Sequence, residues 1–206
     1  MSETPRFRRP AMPGAAHFET MPGEVDPAAR SEAADRCATL LVRGAHDTDD
    51  EGVVDRVVSL ADSEGLDTLA DLWASSPADS LAGCLWRLYL LRSWVYVDPA
   101  AAAREFDAGR RHTPVHEAIA GVVDPPGPDE VRQLVDLVLR GVVRGDFADT
   151  LYRAAAFARV AAAGRAHLGA SGDRTPYESD LSAAKLVSMA EQLEHAARLE
   201  TEGELA

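Results

Sequence analysis

The chain has 206 residues, 46% of them hydrophobic, enough for one sizeable core and too apolar for disorder throughout. Its 34 acidic side chains outnumber 21 basic ones, for a formal net charge of −13. That balance repels phosphate backbones, and the only close run of basic residues is Arg6, Arg8 and Arg9, so nucleic-acid binding is not expected.

Residues 1–25 hold Pro5, Pro10, Pro13 and Pro22 without periodicity and read as an extended arm. No apolar run follows the first arginines, so no export signal is expected. Asp26-Pro27 then supplies an N-cap and a proline at the first helical position, predicting a helix to about Arg43. After the acidic run 46–51, Val53, Val54, Val57, Val58, Leu60 and Ala61 share one helical face. A short helix carries Leu66, Leu69, Leu72 and Trp73. Ser76-Pro77-Ala78-Asp79 looks like the cap of the next helix, and Asp98-Pro99 of a helix ending near Gly109. Thr113-Pro114 predicts another, to about Val123.

The strongest break is Asp124-Pro125-Pro126-Gly127-Pro128. Beyond it, Val131, Leu134, Val135, Val138 and Val142 form an apolar stripe with Asp129, Asp136 and Arg140 opposite. Asp146 caps an alanine-rich helix reaching about His167. The stretch 169–179 reads as a linker. The last helix, about 180–199, places Leu186, Met189, Ala190, Leu193 and Ala197 on one side. No segment alternates as a strand would. The expected fold is all-α: a bundle of six to seven helices over 26–168, with a Pro-rich arm and a tethered amphipathic C-terminal helix with an acidic tail (180–206).

The most apolar stretch, residues 84–94 (CLWRLYLLRSW), carries Arg87 and Arg92. A membrane span needs about 20 mostly apolar residues, and the arginines interrupt this one. Apolar side chains on every side of the helical wheel fit a central bundle helix instead. The two guanidinium groups are expected to pair with carboxylates, for which Asp62, Asp71 and Glu105 are near in sequence. The alternatives are a site for a small anionic ligand and an interface. Trp73, Trp86 and Trp94, clustered with these arginines, belong either to the core or to a Trp/Arg patch of the kind favoured at binding hot spots.

Other chemistry is weakly supported. Asp47-Thr48-Asp49-Asp50-Glu51-Gly52 opens like a calcium-binding loop, but its twelfth position is Val58 rather than a bidentate glutamate. His112 and His116 are separated by Pro114 and straddle a helix cap, so they are not expected to share a ligand face. Glu191, Glu194 and His195 lack the Glu-x-x-His spacing of carboxylate metal bundles. No phosphate-binding glycine loop, nucleophile elbow or zinc-protease motif is present, so no cofactor, metal or catalytic residue is assigned. Cys37 and Cys84 fall at apolar helix positions, outside any CxxC pair, which suits a reducing cytoplasm.

The runs SPADSLAGCLWRLYLLRSWVYVDP, GVVDPPGP and GDFADTLYRAAAFARV resemble a group of small all-helical proteins of high-GC bacteria, some of which are labelled RNA polymerase β subunit. The resemblance spans about residues 55–165. It implies no catalytic residue and at most an association with the transcription machinery. The expected function is non-enzymatic and cytoplasmic, through contact with another protein or with a second copy. Binding of a small anionic ligand is the alternative.

Overall fold

In the computed structural model of the chain, the described residues are 26–43, 66–112, 127–144, 146–170 and 182–206. They form seven helices and no strand: α1 (Pro27–Val42), α2 (Leu66–Trp73), α3 (Leu81–Val97), α4 (Pro99–His112), α5 (Pro128–Arg144), α6 (Phe147–Ala170) and α7 (Ala183–Glu202). The all-α reading holds. The arm, the 47–52 loop, the valine-rich stripe 53–61, the Thr113–Val123 helix and residues 171–179 of the linker lie outside the described residues.

Most of the punctuation works as short polar caps should. Asp26 Oδ1 accepts from the Ala28 amide at 3.1 Å, Asp98 Oδ1 from Ala101 at 2.9 Å and Asp146 Oδ1 from Asp149 at 3.1 Å. Each satisfies a helix-start amide that has no intrahelical acceptor. One start differs from expectation. The helix expected after Ser76-Pro77 begins at Leu81, with Ser80 as the cap accepting from the Gly83 amide at 3.1 Å. Residues 77–80 turn instead, and the Ser80 amide and hydroxyl both donate to the Pro77 carbonyl. That carbonyl lies so close to Gly83 that a Cβ there would collide with it. The cap is displaced by a tertiary contact that only glycine permits.

α3 contacts each of the other six described helices. It buries Leu81, Ala82, Gly83, Cys84, Leu85, Leu88, Leu91, Trp94 and Val95. The most extensive packing, however, joins α6 to α7 and to α4. Small residues make this possible. Ala154, Ala155, Ala158, Ala161 and Ala162 of α6 are buried. A Cβ at Gly109 would strike the Val160 carbonyl, and one at Gly164 would strike the Glu105 carbonyl. The two helix backbones are therefore in contact, with Phe106 stacked on Phe157 beside them at 5.2 Å between centroids.

α7 packs on α6 through Leu186, Met189, Ala190, Leu193, Ala196 and Ala197, all buried and including the whole expected stripe. In α5, Val131, Val135 and Val142 are buried as their stripe requires. Gly203 ends α7 in the left-handed region at φ 74°, and the Glu204 amide reaches back to the Leu199 carbonyl at 2.8 Å. Leu205 is then buried, and the Leu81 amide donates to the Ala206 carbonyl at 2.8 Å. Arg43, at the end of α1, grips the Glu200 carboxylate with both terminal nitrogens. The ends of α1 and α7 thus meet the start of α3.

Candidate functional site

The aromatic residues near Arg87 and Arg92 separate into two environments. Trp73 and Trp94 are core residues, 4% and 7% exposed. Trp94 packs on Phe157 at 6.2 Å, and the Arg165 guanidinium lies 4.9 Å from its ring centre. Among the described residues the buried Trp73 Nε1–H has no acceptor. Trp86 stays partly exposed and stacks on Tyr89 at 5.6 Å. The patch of three tryptophans considered from sequence is thus a single surface tryptophan above two core ones.

Trp86 belongs to a longer feature. At 100° per residue, Trp86, Tyr89, Leu90, Ser93, Tyr96 and Val97 share the outward side of α3. All six are partly or fully exposed, Tyr96 by 37% and Val97 by 70%. None is charged, in a chain where 27% of residues are. Arg87 and Arg92 lie on opposite edges of this stripe.

Arg92 has an internal carboxylate. Its Nε lies 3.4 Å from Asp136 Oδ1 on α5, and its guanidinium lies 4.0 Å from the Tyr96 ring centre. The Tyr96 hydroxyl donates to Asp136 Oδ2 at 2.6 Å, which pushes the phenol up from its ordinary value. The carboxylate was not one expected from sequence. Asp71 offers only its backbone carbonyl, to Arg30 at 2.7 Å, Glu105 pairs with Arg165 at 2.8 Å, and Asp62 lies outside the described residues. Asp136, read as pointing away from the α5 stripe, turns to α3 instead. It lies one position beyond Val135, so the flank of the stripe meets Arg92.

Arg87 has no such partner. Its Nε donates to Gln192 Oε1 on α7 at 2.6 Å and its Nη1 to the Gly83 carbonyl at 2.7 Å, both neutral acceptors. Among the described residues it makes no ion pair. Burial pulls its guanidinium below the ordinary arginine value, with the nearby Asp79 charge working in the opposite direction. Beside it the Cys84 thiol is buried and pushed up to about 12, chiefly by burial, so it stays protonated and chemically quiet.

Among the described residues no three His, Cys, Asp or Glu side chains come together to hold a metal ion. His112 stands instead against His167 of α6, with ring centres 3.9 Å apart; His116 lies outside the described residues. Glu194 is taken by Arg159 through two hydrogen bonds of 2.8 and 2.6 Å. No described helix is long and apolar enough to cross a membrane. Compared with known proteins, the chain matches no family model, no curated protein and no solved structure.

Sequence reasoning singled out Arg87, Arg92 and Trp86 but missed Asp136, Gln192 and Gly83, which define what the arginines do. Only Gly83 left a local trace, as a glycine inside an otherwise strongly apolar helix. The other two are more than 40 residues away along the chain.

Proposed function

We propose that this is a non-enzymatic cytoplasmic protein that acts by binding another protein through the outward side of α3. The uncharged stripe Trp86, Tyr89, Leu90, Ser93, Tyr96 and Val97 carries this reading. Tyrosine and tryptophan combine apolar area with a polar tip and few rotatable bonds, the composition favoured at binding hot spots. The stripe lies on a helix whose other side is fixed in the core, so the contact surface is ordered before binding and costs little conformational entropy. Cys37 and Cys84, both unpaired, suit a reducing compartment. The resemblance of the α3 and α6 sequences and of the run 121–128 to helical bacterial proteins bearing a polymerase label makes the transcription machinery the first partner class to examine.

The test replaces Val97 by Arg and Leu90 by Glu in the full chain. Co-purification from native lysate is compared with wild type, with partners identified by mass spectrometry, and light scattering reports self-association. Loss of one identified stoichiometric partner, with unchanged helical content, supports the reading. A monomer with no partner, or a partner retained by both variants, contradicts it.

A further inference from the structure

We infer that the Arg87 guanidinium is a receptor for an oxyanion, a carboxylate or phosphate group supplied from outside the described fold. The contrast with four other arginines that reach a side chain on another helix carries this, the exposed Arg30 reaching a backbone carbonyl instead. Arg43 meets Glu200, Arg92 meets Asp136, Arg159 meets Glu194 and Arg165 meets Glu105, each a carboxylate on a separate helix. Arg87 alone of these five crosses to a neutral amide, Gln192, although acidic residues exceed basic ones by 34 to 21. Its charge is partly removed from water and has no paired counter-charge. Asp79 is close enough to favour the cation but forms no ion pair with it.

The geometry is that of an aimed donor group. A guanidinium carries five N–H donors in one plane. The bonds to Gln192 Oε1 and to the Gly83 carbonyl use two and fix that plane against α3 and α7. Three remain, one on Nη1 and two on Nη2, and one from each nitrogen form the planar pair that matches the two oxygens of a carboxylate or phosphate. Gly83 is part of the arrangement, because a Cβ there would approach Nη1 to 3.2 Å and strike the Pro77 carbonyl. A Cβ at 83 would press on the guanidinium by a few tenths of an ångström, while the Pro77 carbonyl excludes it outright. This inference stands on the contacts of Arg87 and is independent of whether the outward stripe docks a protein.

The test follows the Arg87 Nε resonance of the full chain by NMR during titration with acetate and with inorganic phosphate, in wild type, R87Q and Q192E. Acetate stands for an acidic side chain of a bound protein and phosphate for a small phosphorylated ligand; the tighter of the two names the source. The expected result is a saturable shift of a resonance that R87Q removes, accompanied by anion-dependent thermal stabilisation that R87Q lacks. Q192E supplies an internal carboxylate, keeps the fold and weakens anion binding by about tenfold or more. An Arg87 resonance that neither anion shifts at tens of millimolar would overturn the inference, as would equal binding by wild type and Q192E. Anion-dependent stabilisation undiminished in R87Q would also overturn it.

Discussion

The two sides of this bundle are built on different principles. Where α4 and α6 meet, glycines bring the backbones into contact, buried alanines line the packing of α7 on α6, and the arginines at the rim are matched, Arg165 with Glu105 and Arg159 with Glu194. On α3 the inward half is equally closed, but the outward half keeps aromatic and aliphatic side chains in water with no charge among them. One edge of it is neutralised by Asp136 and the other, at Arg87, is not. The difference teaches where stability and function are to be sought: the small-residue interface holds the fold, and the outer side of α3 is the surface proposed to bind.

The largest expected effect is at the closed side. Phe157 is 1% exposed and touches both Trp94 and Phe106. Phe157→Ala is expected to cost about 3–5 kcal/mol in urea denaturation, the usual range for removing a buried aromatic ring. Gly164→Ala tests backbone contact itself. Its Cβ would meet the Glu105 carbonyl, so α4 and α6 must separate, for a loss of about 3 kcal/mol. A neutral result would mean that the interface is looser than described and that the two sides of the bundle differ less.

The buried half of α3 answers to pH. Burial raises the Cys84 thiol from 9.0 to about 12 in the folded chain. Between those values the unfolded chain gives up a proton that the folded chain keeps. Stability is therefore unaffected by this group below about pH 9 and falls above it, by roughly 1.4 kcal/mol per pH unit at most. Urea midpoints at pH 7 and pH 10 check this, and Cys84→Ala is expected to lose that part of the alkaline slope. The smallest effect on stability belongs to the outward stripe. Val97→Arg is expected to change it by no more than about 0.5 kcal/mol, as exposed substitutions do, while removing the partner. A large stability loss there would show that the stripe is structural and erase the contrast.

Much of this architecture was legible locally. Asp26-Pro27, Asp98-Pro99 and Asp146 announce helix starts because capping depends on a side chain and the two or three amides that follow it. The stripe of α7 was legible for a similar reason, since one buried side imposes a period on the sequence. The start of α3 was misread at Ser76 because its true position depends on the Pro77 carbonyl meeting Gly83 in space. The outward side of α3 could not be read either. A helix apolar all round gives no periodic signal to say which side faces water. Arg92–Asp136 and Arg87–Gln192 join helices through crossing geometry that neither residue encodes alone. Nearness in sequence therefore pointed to the wrong carboxylates.

Site-specific photo-crosslinking in living cells compares the two sides most directly. A photoreactive side chain is placed singly at Leu90 and Val97 on α3, and as controls at Tyr152 on α6 and Val187 on α7, which are 40% and 39% exposed. One discrete adduct, the same from Leu90 and Val97 and absent from Tyr152 and Val187, is the result expected of a binding side on α3. Adducts of equal yield from all four positions, or from the controls alone, would contradict it.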